Sequence, residues 1–417
     1  MKSYRFVILG AGPSGLAFAH TLKSMGENSF IVLEKESVAG GLCRSEIVEG
    51  FPLDIGGGHF IEPSPPEFLE LLFRFMPRNE WVEHKRQSRI NLQGMEVDYP
   101  LEANLWQLPL DKQLDHLESI SQAGCVRGNP MPEEFDEWIS WKLGTRIAHE
   151  YMLPYNRKIW SYPLNQLGTY WLHKLPDVSF RKTLQSCLER RATGKIPAHG
   201  RFLYPLHHGS GEVWKRMGAA LGEQLLTGTP VLTIDLENRL INETLQWKCL
   251  INTIPWTLWL QYSTLPSRII DLINRLKYCS IDIEYIAAQS PTTAHWLYEP
   301  DMAKPYHRII NRSSYLPGST GYWTETNSHR TTTSKNWCHH NEFAYPINTT
   351  DKPSIITEIH QWGKSVNVIG LGRWGTWNHI NCDVAVTEAM DLARILANDK
   401  SSNEQNRHKP TNIFSSN

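Results

Sequence analysis

The first thirty-five residues combine short apolar runs with one glycine-rich turn. Residues 5–9 (RFVIL) predict a strand, residues 10–26 (GAGPSGLAFAHTLKSMG) predict a sharp turn followed by a helix, and residues 30–35 (FIVLEK) predict a second strand. A strand, a crossover helix and a second strand make a βαβ unit. The chain therefore opens with the unit from which α/β folds are built.

The rest of the chain changes its pattern of apolar positions twice. From about residue 64 to 190, apolar residues recur every three or four positions, which predicts helices. Short strand-like runs follow at 228–255 and 278–325, and VNVIGL then leads into a closing helix at 385–397. We therefore expect a mixed α/β and α+β architecture: a discontinuous nucleotide-binding domain (1–63, 200–256 and 355–398), a mainly helical unit (64–199), an antiparallel sheet unit (257–354) and a disordered tail (399–417).

Composition narrows the class of protein without naming it. The 417 residues are 41% hydrophobic, and 42 Lys+Arg balance 43 Asp+Glu, so net charge points to neither a nucleic-acid nor a membrane partner. The seven cysteines are odd in number and form no CxxC pair, so we expect neither a disulfide framework nor a zinc site. With no signal-peptide layout and no apolar run of about 18 residues, we expect a cytoplasmic protein without membrane insertion.

The motif GAGPSG has the spacing of a dinucleotide-binding fingerprint. It follows a strand and opens a helix, so backbone N–H groups at the helix start can meet a pyrophosphate. Glu34 ends the next strand and can accept hydrogen bonds from a ribose. The alternative is a glycine turn that binds no ligand. The expected contacts from this unit are Gly10, Gly12, Pro13, Ser14, Gly15, Glu34 and Lys35.

Two further glycine-rich turns distinguish FAD from NAD. The segments SVAGGLCR (37–44) and FPLDIGGGH (51–59) follow the acidic strand end. They resemble the FAD fold of the amine-oxidase and glutathione-reductase type, in which a second glycine cluster lets backbone lie against the isoalloxazine. This resemblance implies FAD, a Rossmann-type FAD-binding domain, and cofactor contacts from Gly41, Leu42, Arg44, Gly57, Gly58 and His59. The other possibility for His59 is a satisfied turn histidine.

Further along the chain, several segments resemble UDP-galactopyranose mutase, particularly its eukaryotic branch. They are YPLEAN (99–104), PYNRKIW (154–160), WLYEP (296–300) with Arg308, Tyr345-Pro346, and GRWGTW (372–377) with Asn381, Asp383 and Glu388. The matches occur in order from residue 7 to about 396.

The resemblance implies a site for a nucleotide-diphosphate sugar above reduced FAD. In that family the flavin N5 forms a sugar adduct while pyranose and furanose rings exchange, in polysaccharide or natural-product synthesis. Arg308 and Arg373 are the expected diphosphate cations, with His59 beside the flavin. The other expected substrate contacts are Tyr99, Glu102, Asn156, Trp160, Tyr298, Tyr345 and His379, and the remaining cofactor contacts are Val231, Gly372, Arg373, Asn381, Asp383 and Val384. Against these roles, Arg308 could form a surface salt bridge, and Trp160 and Tyr298 could be core residues.

The chain also departs from the family pattern. Glu102 replaces a glutamine, Leu175 falls where the family has a diphosphate-binding arginine, and His379 replaces a tyrosine. UDP-galactose therefore does not follow from the resemblance. Two other functions remain open: an FAD-dependent oxidoreductase of the amine-oxidase or protoporphyrinogen-oxidase type, which the loss at 175 favours, and a flavin-fold protein that only binds a partner.

Overall fold

The computed structural model describes residues 1–63, 65–172, 178–193 and 200–398. Its helices are Pro13–Ser24, Pro66–Phe75, Leu101–Asn104, Leu110–Ser121, Gly124–Arg127, Phe135–Ile147, Leu153–Trp160, Phe180–Glu189, Gly211–Leu221, Trp259–Tyr262, Ser267–Arg275, Lys352–Ser365, Gly372–Gly375 and Cys382–Asn398. The altered segment around Leu175 and the expected tail lie outside the described residues.

The N-terminal βαβ unit organises a seven-stranded, mostly parallel sheet. Its strands are Lys2–Leu9, Phe30–Leu33, Leu225–Leu226, Ile234–Asp235, Leu240–Ile241, Leu245–Asn252 and Val368–Gly370. Lys2–Leu9 lies between Leu245–Asn252 and Phe30–Leu33 and is parallel to both. Segments from both ends of the chain and from its middle thus meet in one sheet.

Alternating side chains of the two central strands fill the cores on opposite faces of this sheet. Phe6 and Ile8 pack on one side with the helices Pro13–Ser24 and Cys382–Asn398. Val7 and Leu9 pack on the other side with Trp256 and Trp259. Burial on both faces explains why these strands are continuous apolar runs.

A second seven-stranded sheet stands apart from the first. Its strands, in spatial order, are Cys338–Pro346, Tyr278–Ile286, Tyr322–Asn327, Arg308–Ile310, Trp296–Tyr298, Ser88–Leu92 and Met95–Asp98. All neighbours are antiparallel except Trp296–Tyr298 with Ser88–Leu92. Two of its strands therefore come from the range that the sequence predicts to be mainly helical.

Two short antiparallel pairs complete the strands. Ser45–Val48 pairs with Phe51–Asp54, and Trp81–Lys85 pairs with Arg201–Pro205. The helices from Leu101 to Trp160, together with Phe180–Glu189, enclose a separate apolar core that also receives Ile90 and Ile347. The predicted fold class is confirmed: a Rossmann-type parallel sheet with helical and antiparallel parts. The assignment of these parts to three domains stays a prediction.

Candidate functional site

The carboxyl ends of the parallel strands open onto a groove of about 540 Å³. It is lined by the first glycine turn, the strand end at Glu34, the segment 41–44, His59 and the segment 372–374. Ligands of open α/β sheets bind at this edge, where strands end and helices begin. The volume lies within the range of small-molecule pockets.

The first turn brings backbone to the wall of the groove. Gly10 has φ +97°, a left-handed conformation that favours glycine. A Cβ on Gly41 would lie 3.2 Å from the Cα of Gly12, so these two turns face each other through backbone. Gly12 precedes the helix Pro13–Ser24, and no side chain caps the helix start. The N–H groups of this helix start are therefore suited to an anion such as a pyrophosphate.

Glu34 holds the same turn from the neighbouring strand. Its carboxylate accepts hydrogen bonds from the backbone N–H groups of Ala11, at 2.8 Å, and Glu36, at 3.0 Å. The side chain is buried yet still lines the groove. A carboxylate oxygen has more than one acceptor site, so Glu34 can both brace the turn and accept from a ribose hydroxyl.

Most of the predicted cofactor contacts lie on the groove wall: Gly10, Gly12, Pro13, Ser14, Glu34, Lys35, Gly41, Leu42, Arg44, His59, Val231, Gly372, Arg373 and Asn381. Five of the predicted cofactor contacts are not part of the groove wall: Gly15, Gly57, Gly58, Asp383 and Val384. A Cβ on Gly15 would lie 2.1 Å from the Gly10 carbonyl, so Gly15 serves close packing of the turn. Val384 points to solvent, 39% exposed, from the first turn of the closing helix that also holds Asp383.

Gly57 and Gly58 pack instead against a carboxylate that the sequence analysis did not single out. The Gly58 N–H lies 3.4 Å from Glu325 Oε1, and a Cβ on Gly57 would lie 2.8 Å from the same oxygen. His59 follows directly, and its Nε2 is buried without a hydrogen-bond partner among the described residues. His59 lines the groove, but this nitrogen is closed off from solvent and faces Gly56, where an added Cβ would lie 2.9 Å from it.

Strand register places Glu325 beside Arg308 and Tyr298. Tyr298 lies directly opposite Arg308, and Arg308 lies directly opposite Glu325 on the third strand. Residues directly opposite each other in a sheet share a face. The three side chains therefore form one row across three strands.

Arg308 and Glu325 form an ion pair in which the Glu325 side chain is 1% exposed and the Arg308 side chain is 21% exposed. Arg308 Nε donates to Glu325 Oε2 at 2.9 Å, and Nη2 donates to the same oxygen. Burial raises the pKa of Glu325, but Arg308 and His307 outweigh burial and hold this pKa at about 2. The carboxylate is thus ionised at neutral pH. Arg308 thus forms a salt bridge within the protein, the alternative to its expected role as a diphosphate cation, and its role toward a substrate stays a prediction.

Arg373 is held differently. Its Nη1 donates to the Ala344 carbonyl at 3.0 Å, and its Nη2 donates to the Ile380 carbonyl at 3.1 Å. In the described part of the chain no ion pair involves Arg373, which lies on the groove wall. Its guanidinium also lies 5.5 Å from the centre of the Tyr345 ring. The two backbone carbonyls therefore orient the Arg373 guanidinium, and its positive charge stays available to an anionic group.

Tyr345 lies between the two arginines, and both act on its hydroxyl. Burial, aided by the Glu325 carboxylate, raises the pKa of Tyr345, so its hydroxyl stays protonated at neutral pH and can donate. The His379 ring lies 4.7 Å from the Tyr345 ring and 6.1 Å from the Trp160 ring. His379 therefore belongs to the same aromatic cluster, where the resembling family has a tyrosine.

Two predicted substrate contacts on one helix bind each other. Trp160 Nε1 donates to Asn156 Oδ1 at 3.0 Å, and Asn156 Nδ2 donates to the Met152 carbonyl at 2.8 Å. Both side chains are buried in the helical core. For these two residues the structure supports a packing role, and the amide of Asn156 is occupied by the protein.

The other two tyrosines meet an arginine that the sequence analysis did not consider. Arg86 Nη2 donates to the Tyr298 hydroxyl at 2.9 Å, and the guanidinium lies 5.1 Å from the centre of the Tyr99 ring. Trp296 Nε1 also donates to the Tyr298 hydroxyl, at 3.0 Å. With two donors in place, the Tyr298 hydroxyl acts as an acceptor here.

Glu102 does not line the groove, and its role as a substrate contact stays a prediction. It is buried in the short helix Leu101–Asn104 and lines a second cavity of about 320 Å³. The walls of that cavity come from the helical part of the chain, including Ile120, Lys142 and Phe180. The carboxylate that replaces the family's glutamine therefore affects contacts among these helices.

Several groove residues escaped the sequence analysis. Thr253 and Ile254 follow the strand Leu245–Asn252, and the segment 339–343 comes from an edge strand of the second sheet. Glu325 carried a usable signal, since a charge inside a strand of otherwise uncharged residues needs a partner just as Arg308 does.

Comparisons with known proteins agree with this fold. The family described as "NAD(P)-binding Rossmann-like domain" matches residues 8–75. An uncharacterized protein from the nifH2 3′ region of Methanothermococcus thermolithotrophicus is 48% identical over 52 residues, which are 12% of this chain and 49% of that protein. The chain thus spans about half the length of this curated relative. Among the described residues, no helix is long and apolar enough to cross a membrane.

Solved structures match nearly the whole chain. A crystal structure of reduced UDP-galactopyranose mutase has a TM-score of 0.86 at 22% identity, covering 95% of this chain and 94% of that chain. A protein described as a protoporphyrinogen oxidase from Exiguobacterium has a TM-score of 0.71 at 14% identity, covering 96% and 100%. Cyclohexylamine oxidase from Brevibacterium oxydans has a TM-score of 0.65 at 14% identity, covering 95% and 99%. The chain therefore has the fold shared by these proteins.

Proposed function

We propose that the groove binds FAD. The observations that fit this cofactor are the facing backbones of Gly12 and Gly41 and the uncapped start of the helix Pro13–Ser24. Both suit a pyrophosphate, and His59 lies on the wall of the same groove. Glu34 would accept from the adenosine ribose.

We further propose that the enzyme acts on a nucleotide-diphosphate sugar, exchanging pyranose and furanose rings in the manner of UDP-galactopyranose mutase. The observation that carries this proposal is Arg373, a groove cation without an ion-pair partner in the described residues. A sugar-nucleotide diphosphate is a dianion that a guanidinium binds well. The likeness at TM-score 0.86 supports the same reaction class.

Each part of the site has a role in this reaction. Bound FAD in its reduced form supplies the nucleophile for the anomeric carbon. Arg373 neutralises the diphosphate leaving group, and the Tyr345 hydroxyl donates to its oxygens. The Arg308–Glu325 pair is neutral overall, and both of its charges act electrostatically on the Tyr345 hydroxyl. We place this activity in the cytoplasm, in polysaccharide or natural-product synthesis.

A second candidate is an FAD-dependent oxidoreductase of the amine-oxidase or protoporphyrinogen-oxidase type. Proteins described in these terms share the fold over the whole chain. The leucine at position 175, where the resembling family has a further diphosphate-binding arginine, also favours it. An oxidase would take hydride from its substrate and return electrons to oxygen, which gives a distinct product.

One experiment separates the two candidates. The purified flavoprotein is reduced without air, mixed with UDP- and dTDP-hexoses, and the products are separated by chromatography. Furanose formation that requires the reduced cofactor supports the mutase. Reduction of the oxidised cofactor by an amine or a porphyrinogen, with peroxide formed in air, would establish the oxidase and refute the mutase.

A further inference from the structure

Two side chains that can only donate meet on the hydroxyl of Tyr298. Arg86 Nη2 donates to this oxygen at 2.9 Å, and Trp296 Nε1 donates to it at 3.0 Å. A guanidinium and an indole have no acceptor atom, so the oxygen of Tyr298 must accept both hydrogen bonds. The proton of the hydroxyl therefore points away from both groups, and no described residue accepts it.

The second sheet holds the Arg86 guanidinium in place. Arg86 lies just before the strand Ser88–Leu92, and its Nε donates to Ser88 Oγ at 3.0 Å. Ser88 lies directly opposite Trp296 on the neighbouring strand, and the guanidinium lies 4.6 Å from the centre of the Trp296 ring. A planar guanidinium stacks well on an aromatic face. Trp296 thus supplies one donor to Tyr298 and supports the side chain that supplies the other.

Tyr298 stands at the far end of a row of side chains that begins beside the groove. Glu325 contacts the Gly58 N–H, next to His59 on the groove wall, and Arg308 and Tyr298 follow on the next two strands. Neighbouring strands are about 4.8 Å apart, so Tyr298 lies about 10 Å from Glu325 along the row. Tyr298 is half-buried, and the Arg308 side chain is 21% exposed. A ligand that extends from the groove across this row can therefore reach the Tyr298 hydroxyl.

We propose that Arg86 and Trp296 are positioning residues, which together fix the Tyr298 hydroxyl as a hydrogen-bond donor to an anionic oxygen of the substrate's diphosphate. This inference rests on the proposed nucleotide-diphosphate sugar substrate. Two hydrogen bonds accepted by the phenol oxygen polarise its O–H bond and strengthen it as a donor. Neither Arg86 nor Trp296 has to touch the substrate, so their effect on binding passes through the Tyr298 hydroxyl.

A double-mutant cycle tests this dependence. UDP is titrated calorimetrically into FAD-loaded, full-length wild type, Arg86→Ala, Tyr298→Phe and the double variant. We expect each single substitution to weaken UDP binding about five- to tenfold, the loss of one hydrogen bond to a charged group. In the Tyr298→Phe background, Arg86→Ala should add less than about twofold. An equal loss in both backgrounds would mean that Arg86 binds the ligand directly or only supports the fold, and would refute the proposal.

Two further variants separate positioning from general disturbance of the sheet. Trp296→Phe removes the indole N–H and keeps a ring beneath Arg86, so it should weaken UDP binding in wild type but not in Tyr298→Phe. It also provides the cycle if Arg86→Ala does not fold. Arg89→Ala is the matched control, because the Arg89 side chain is 32% exposed and pairs with Glu96 and Asp98. Its UDP affinity should equal that of wild type, and a loss as large as in Arg86→Ala would contradict a specific role.

The outcomes distinguish this inference from the proposed reaction. Coupling between Arg86 and Tyr298 in UDP binding, without furanose formation by the reduced protein, supports the positioning role and contradicts the ring exchange alone. Furanose formation with independent losses at the two residues contradicts the positioning role alone. Wild-type protein that binds neither UDP nor pyrophosphate contradicts both.

Discussion

At the scale of single residues, Arg308 and Arg373 are both predicted to bind a diphosphate, but they lie in different surroundings. Arg308 forms an ion pair with Glu325 inside the protein, whereas two backbone carbonyls orient Arg373 toward the groove. The first arginine is part of the framework, and the second is the cation available to an anionic ligand. Substitutions at the two positions should therefore differ in kind.

Arg373→Ala should weaken binding of UDP without loss of FAD. Removing a cation from a diphosphate costs about 2–3 kcal/mol, or roughly 30- to 150-fold in affinity. Calorimetric titration of UDP into the FAD-loaded protein measures this change. Arg268→Ala is the control, because Arg268 is 78% exposed and pairs with Glu358 at the surface. Unchanged UDP affinity in Arg373→Ala would show that this arginine does not hold the diphosphate.

Glu325→Gln should destabilise the fold, because it leaves the largely buried Arg308 guanidinium without its counter-charge. The expected loss in the free energy of unfolding is about 3–5 kcal/mol at pH 7, measured by urea titration. The pKa of Glu325 is about 2, below the value of about 4.3 for free glutamate. Its contribution to stability is thus present above pH about 4 and is lost as pH falls toward 2.

The pH dependence separates this ion pair from other effects of the Glu325 variant. Wild type should lose stability relative to Glu325→Gln between pH 4 and pH 2, so the two unfolding free energies converge. Glu358→Gln, at the exposed pair with Arg268, should change stability by less than about 1 kcal/mol. Parallel curves for wild type and Glu325→Gln down to pH 2 would contradict the assigned pair.

At the scale of elements, strand register assembles the site. Tyr298, Arg308 and Glu325 share a face because three successive strands pair with these residues directly opposite. A slip of one residue between neighbouring strands would put them on opposite faces. The glycine cluster at 56–58 then packs against this row because it has no side chains in the way.

Gly57→Ala tests the contact between the glycine cluster and the row. Gly57 has φ +93°, and its Cβ would lie 2.8 Å from Glu325 Oε1. Gly94→Ala is a matched control, since Gly94 has φ +86° and open space around its Cβ position. Both should lose about 1–2 kcal/mol of stability through the backbone conformation.

Only Gly57→Ala should also displace Glu325, with a further loss of about 1–3 kcal/mol and a lower FAD content after purification. Urea unfolding and the visible absorbance of the purified protein measure these two effects. Equal stability and equal FAD content in both variants would mean that the glycine cluster does not depend on Glu325.

At the scale of the whole molecule, the groove joins distant parts of the chain. Its walls include segments around residues 10–14, 34–44, 229–231, 253–262, 339–343 and 372–385. A ligand that contacts all of them binds only the folded state. FAD should therefore stabilise the protein by about 2.7 kcal/mol at a hundredfold excess over its Kd.

Thermal unfolding with increasing FAD measures this stabilisation. Riboflavin serves as the control, because it lacks the pyrophosphate and adenosine that would meet the helix start at Pro13 and the carboxylate of Glu34. We expect a concentration-dependent rise in the unfolding temperature with FAD and a much smaller rise with riboflavin. Equal shifts would show that the nucleotide half of the groove is not used.

Local patterns along the chain were sufficient to predict the fold class and half of the site. The βαβ start, Gly10 and Gly12 of the first turn, Glu34 and the strand leading to Arg373 depend on neighbours in sequence, and the structure has them at the groove as expected. Short-range geometry decides such features, because a glycine turn after a strand and before a helix has few conformations.

Tertiary structure alone decided how the charges pair. Strand pairing placed Glu325 beside Arg308, whereas Arg373 is oriented by backbone carbonyls and is left for a ligand. Helix packing turned Glu102 away from the groove and tied Asn156 to Trp160. The physical reason is the same in each case. Whether a buried polar group is free or occupied depends on partners far along the chain, and local sequence patterns carry no information about that distance.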